Sequence, residues 1–171
     1  MLILGHGASG NAASMQPHVQ GLRRRGVEAR AIDLPKGDAA RAMPRFIAAM
    51  DAERSAVSLG GHSFGGRVAS MVAAERGDVT ALVLFSYPLH RPGHPEAVRT
   101  EHWPRISCPV LLLSGESDPF ARIDLLRDAV TELPHATLIT YPRIGHGLLP
   151  VLDEALDEVA AFLSSAAGTR A

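Results

Sequence analysis

A serine, an aspartate and a histidine, in that order along the chain, carry the residues most able to do chemistry. Ser63 lies in Gly61-His62-Ser63-Phe64-Gly65, a G-x-S-x-G pattern that follows the apolar run at 56–59 and precedes a helix-period segment at 66–74. Strand, sharp turn and helix are the surroundings in which a serine hydroxyl is held exposed above a sheet. Side chains two before and two after the serine would meet neighbouring backbone, so glycine suits both places. The pattern is short enough to arise by chance, and an ordinary glycine-rich turn would look the same, so its partners must decide. Asp118 sits in Ser114-Gly115-Glu116-Ser117-Asp118-Pro119 and His146 in Ile144-Gly145-His146-Gly147. A serine hydroxyl is a poor nucleophile without an adjacent base. Imidazole titrates near neutrality, so His146 can take that proton and return it to a leaving group. An aspartate can fix the imidazole tautomer and stabilise the imidazolium. Glu116 is a competing acid, but it lies nearer the strand and is aimed less well, so Asp118 is preferred. The chemistry implied is acyl transfer through a serine, with no cofactor and no metal.

Acyl transfer also needs donors for a developing oxyanion. Leu4-Gly5-His6-Gly7-Ala8-Ser9-Gly10-Asn11 follows the first apolar run, and its glycines allow close backbone approach. The candidate donors are the backbone amides of Ala8 and of Phe64, the residue after the serine. His6 belongs to this motif and is expected to order the loop more than to do chemistry; it and His62, which flanks the serine, are the candidate substrate contacts. A nucleotide-phosphate loop is the weaker reading of these glycines: no Gly-Lys-Ser/Thr follows them, and Asp33 is the one acid near the distance such a site needs. His90, His94 and His102 lie in a proline-rich stretch without metal-ligand spacing, so no metal site is expected.

These residues need elements to position them. Apolar runs at 2–4, 27–32, 56–59, 81–85, 110–113 and 136–141 read as strands. Helix-period segments fall at 11–25, 39–53, 64–76, 123–133 and 149–164, with Pro44 marking a break or restart in the second. Residues 87–107 hold prolines at 88, 92, 95 and 104 and are expected to be irregular, with Trp103 buried as an anchor and Arg99 and His102 fastening the stretch to the body. Leu148 and Leu149 are expected in the core. The strands are continuous apolar runs without alternation, which marks a parallel sheet covered on both faces. The expectation is an α/β fold: a compact open parallel sheet of about six strands with helices on both faces, one domain over 1–171, its tail frayed from 166. Ser63, Asp118 and His146 each follow a strand, at the edge where such sheets bind ligands.

The chain resembles the α/β-hydrolases, whose triad runs serine, acid, histidine along the chain. More narrowly it is similar to the small dienelactone-hydrolase-like group that includes the Tex30-type proteins. The residues that carry this are Gly5-His6-Gly7-Ala8, Gly61–Gly66, Tyr87-Pro88-Leu89, Arg99-Thr100-Glu101-His102, Gly115–Phe120 and Gly145-His146-Gly147. The resemblance implies a minimal hydrolase core that opens at the family's third strand and has no cap domain, with a small-molecule acyl substrate. It also implies a second reading, a binding or scaffold protein that keeps the fold without turnover. Dienelactone hydrolases use a cysteine nucleophile; here that place is Ser63, and Cys108 precedes Pro109 at the opposite end of a strand, so lactone specificity does not carry over.

Composition excludes several alternatives. Of 171 residues, 46% are hydrophobic and 20% charged, and the net charge is −1 with signs interspersed, so neither a nucleic-acid face nor a basic membrane patch is expected. The single cysteine, Cys108, allows no internal disulfide and suits a cytoplasmic setting. No apolar run reaches the length of a membrane span, and the first residues lack a signal-peptide pattern. An open sheet edge leads us to expect that a second copy of the chain can pair there as a homodimer.

Overall fold

The computed structural model describes residues 1–168. Strands β1 (Leu2–Gly5), β2 (Ala29–Ile32), β3 (Val57–His62), β4 (Val79–Phe85), β5 (Val110–Gly115) and β6 (Ala136–Tyr141) form one sheet in the order β2-β1-β3-β4-β5-β6. Every pairing is parallel. The helices are α1 (Gln16–Arg24), α2 (Ala39–Asp51), α3 (Phe64–Glu75), α4 (Ile123–Val130) and α5 (Leu152–Gly168).

The continuous apolar strands now have a physical explanation. Successive side chains point to opposite faces, so one run feeds two cores. Leu2 and Leu4, Val83 and Phe85, and Leu111 and Leu113 pack with α1 and α5. Ile3, Leu82, Leu84 and Leu112 pack with α2, α3 and α4 on the other face. A polar residue at any of these positions would be buried, which is why alternation is missing.

Some boundaries moved. β3 runs on through Gly60, Gly61 and His62, and glycines weaken a strand signal. The first helix is preceded by a 3-10 turn, Ala12–Met15, capped by the Asn11 side chain. Pro44 does not break α2. It lies on the exposed side of the helix, where water can satisfy the carbonyl that loses its partner. Leu148 is buried, but Leu149 is 67% exposed, because it opens a 3-10 turn, Leu149–Val151, that swings the chain outward before α5. α5 continues through Gly168, and residues 169–171 of the tail expected to fray lie outside the described part. No described helix is long and apolar enough to cross a membrane.

Between β4 and β5 the chain makes an isolated antiparallel bridge, Arg91 to His94, and the short 3-10 turn Trp103–Arg105. This connection is nonetheless fixed. Trp103 is fully buried with its ring 5.0 Å from that of Tyr87. The Tyr87 hydroxyl donates to the Arg99 carbonyl at 2.6 Å, and His102 Nε2 meets Ser70 Oγ on α3 at 2.7 Å. Arg99 thus fastens the stretch through its main chain and His102 through its ring. Trp103→Ala should cost about 3–5 kcal/mol of stability, the usual loss for truncating a buried aromatic. Urea denaturation checks this; a loss under 1 kcal/mol would mean the connection does not depend on its anchor.

Candidate active site

The elbow begins with a lack of room. A Cβ on Gly61 would lie 2.5 Å from the Gly5 carbonyl oxygen, and one on Gly65 would run into the main chain of Gly5. Both expected glycines are therefore required by contact with β1. Ser63 between them adopts φ 51°, ψ −114°, a left-handed backbone rare for a residue with a side chain. Its amide donates to the Phe85 carbonyl at 2.9 Å and its carbonyl accepts from Arg67, so the strained residue is tied to β4 behind and to α3 ahead.

The side chain of Ser63 meets the partners expected of it. Ser63 Oγ donates to His146 Nε2 at 2.8 Å. His146 Nδ1 donates to Asp118 at 2.8 Å to Oδ2 and 3.0 Å to Oδ1. One neutral tautomer satisfies both contacts. The Asp118 side chain is fully buried, and its Oδ1 also accepts from the Phe120 amide at 2.8 Å. Glu116 faces elsewhere: its Oε1 accepts from Thr140 at 2.8 Å and pairs with Arg127 at 3.1 Å. His146 therefore faces Asp118, while Glu116 is engaged by Thr140 and Arg127. Gly115 explains how the acid and histidine loops meet, since a Cβ there would strike the carbonyls of Ile144 and Gly145.

The loop after β1 is fastened from below. His6 is buried; its Nδ1 donates to the Gly7 carbonyl at 2.8 Å and its Nε2 accepts from the Leu34 amide at 3.0 Å. With both nitrogens occupied, His6 orders the loop, the first of the two tasks expected of it. Asp33 Oδ1 accepts from the Ala12 amide at 2.7 Å, which tethers the same loop and gives Asp33 a structural task in place of a ribose contact. Among the described residues the Ala8 and Phe64 amides find no acceptor.

His62 is also turned to a protein partner: its Nε2 donates to the main-chain oxygen of His146 at 3.1 Å. The other histidines do not converge on a metal. His90 accepts from the Arg122 amide at 3.0 Å, His94 meets Glu96, and His102 meets Ser70. Two features had no clear sequence signal. Phe120 lays its ring 4.3 Å from that of His146, tilted by 35°, and His90 ties the β4–β5 connection to the acid loop. Their positions two residues past Asp118 and after Leu89 become meaningful only once the loops are folded together.

Comparison with known proteins agrees with this fold. Residues 1–151 match the alpha/beta hydrolase domain. The chain is an α/β hydrolase. Among solved structures of similar fold is a monoacylglycerol lipase of Paleococcus ferrophilus, with TM-score 0.85 and 17% identity over 96% of this chain and 94% of that one. Another is Est1E of Butyrivibrio proteoclasticus with ferulic acid bound, with TM-score 0.79 and 16% identity over 98% and 89%. A third is E-2-(acetamidomethylene)succinate hydrolase, with TM-score 0.81 and 15% identity over 96% and 91%. At these identities the likeness is one of fold.

Two buried histidines make this hydrolase's stability depend on pH. Burial pushes the imidazole of His18 down to about 4, helped by nearby His62, and burial likewise pushes His102 down to about 4. In the unfolded chain both would titrate near 6.5. As pH falls below that, the unfolded state takes up protons that the folded state refuses, so stability is full above about 6.5 and lost between about 6.5 and 4. Each group accounts for about 3 kcal/mol of that loss. His18 Nδ1 has no partner, and its ring stands edge-on to Phe85, so Phe should replace it without losing a hydrogen bond at that nitrogen. Urea midpoints from pH 7 to 4 should drop steeply for the wild type and less steeply for His18→Phe; equal slopes would contradict this.

Proposed function

We propose that the protein is a cofactor-independent serine hydrolase acting on a carboxylic ester or similar acyl group. The observation that carries this reading is the unbroken hydrogen-bonded line from Ser63 Oγ through His146 to buried Asp118. In the first step His146 Nε2 takes the Ser63 proton while Oγ attacks the acyl carbon, and the carbonyl π electrons move to oxygen. The amides of Ala8 and Phe64 hold that oxyanion, and each such donor contributes about 3 kcal/mol to acyl transfer. Asp118 stabilises the imidazolium without taking its proton. The tetrahedral intermediate collapses, His146 protonates the departing alcohol, and the acyl group stays on Ser63. Water, deprotonated by His146, then repeats the sequence and releases the acid.

The surroundings of the nucleophile bear on the substrate. No α-helix lies between β4 and β5, and the His146 side chain is 22% exposed within the folded protein. Such an open site suits short or projecting acyl groups. Phe120 beside His146 offers an apolar surface against which part of the substrate could rest. Kinship with the dienelactone-hydrolase-like, Tex30-like group is supported by the Tyr87–Leu89 and Arg99–His102 motifs, whose residues fasten the β4–β5 connection.

A fluorophosphonate probe should label the wild type, and a short-chain nitrophenyl ester should be turned over. Ser63→Ala should lose both. Asp118→Asn should retain the fold and lose roughly 10³–10⁴ in kcat, whereas Glu116→Gln should stay within about threefold. An unlabelled wild type, or turnover undiminished in Ser63→Ala, would overturn the reading.

A further inference from the structure

The loop that carries His146 is thinly attached. It is bracketed by Gly145 and Gly147. Its neighbours are well tied: Ser117 donates to the Ile144 carbonyl at 2.9 Å, and Val151 donates to that of Leu148 at 3.0 Å. For residues 145–147, among the described part of the chain, one hydrogen bond holds the main chain: His62 Nε2–H to the His146 carbonyl, 3.1 Å. The two rings stand 5.2 Å apart, tilted by 53°. His62 also faces the loop after β1. A Cβ on Gly7 would lie 2.9 Å from His62 Nδ1, so that glycine leaves the space the imidazole fills. One side chain, next in sequence to Ser63, therefore touches both the Gly7 turn and the histidine loop.

We propose that His62 is a positioning residue, whose Nε2–H pins the main chain of His146 to the elbow so that the base stays aligned after Ser63 has been acylated. This rests on the serine-hydrolase reading. In the acyl-enzyme Ser63 Oγ is esterified and has no proton to give, so His146 loses one of its side-chain partners when it must activate water. Asp118 still holds its ring, and His62 still holds its backbone. Burial lowers the His62 pKa, which keeps the ring neutral, with Nε2 as donor, and adds no positive charge beside an imidazolium at His146. A substrate-binding role for His62 makes a different prediction, because losing a substrate contact raises KM.

The test compares His62→Phe, which keeps a ring and removes the donor, with His62→Gln, which restores an N–H at similar reach. In ester hydrolysis His62→Phe should lower kcat by roughly ten- to a hundredfold without raising KM, and His62→Gln should recover most of it. Peptide hydrogen exchange over 144–148 should be at least about threefold faster in His62→Phe than in wild type, with the rest of the sheet unchanged. Kinetics within twofold of wild type, a change confined to KM, or a loss that Gln does not restore would each overturn the proposal. If the wild type neither labels nor turns over ester, the hydrolase reading fails, and hydrogen exchange alone decides whether His62 is the strut: unchanged exchange at 144–148 would refute it.

Discussion

Everything at the active edge depends on three stretches of main chain meeting with no side chain between them. β1 ends at Gly5, β3 passes Gly61, and α3 begins beside Gly65, and at Gly61 and Gly65 even a methyl group would collide with main chain. This contact forces the turn at Ser63 into a left-handed backbone, a conformation that costs on the order of 1–3 kcal/mol and survives only where its surroundings over-determine it. Here the parallel register of β1, β3 and β4 and the Ser63–Phe85 hydrogen bond do so. The strain places the hydroxyl beyond the sheet, within reach of a histidine 83 residues away.

The loops that complete the site are held by histidines used as neutral connectors. A neutral imidazole offers one donor and one acceptor, so it can join two backbone groups without bringing a charge. His6 links the turn after β1 to Leu34, and His90 links the β4–β5 connection to Arg122 in the acid loop. Charge is concentrated instead at Asp118, buried where its two oxygens are taken by His146 and the Phe120 amide. A carboxylate so enclosed is positioned before any substrate arrives, which lowers the reorganisation that a developing imidazolium would otherwise demand.

The sequence made the fold and the candidate site legible for different reasons. Leu111, Leu112 and Leu113 announce a strand buried on both faces, because every position must be apolar when both faces are covered. Ser63, Asp118 and His146 were readable because each follows such a strand. What escaped was contact between loops. Nothing in Ile144-Gly145-His146-Gly147 tells that its carbonyl meets His62, or that Gly115 must yield space to it. Histidine is equally at home in a substrate pocket and under a loop, so the sequence left His6 both tasks, and only the fold shows both its nitrogens held by main chain. Leu149 misled because its spacing continues the α5 stripe, while the 3-10 turn that holds it breaks that periodicity.

The central claim is that Ser63 forms a covalent acyl intermediate. Rapid mixing with excess nitrophenyl butyrate, followed by acid quench and intact-mass analysis, measures this directly. The account predicts a burst approaching one equivalent of nitrophenolate per chain where deacylation is slow, and a butyryl adduct that maps to Ser63 and is absent in Ser63→Ala. Steady turnover by the wild type with the adduct on any other residue, or with an undiminished rate in Ser63→Ala, would contradict it.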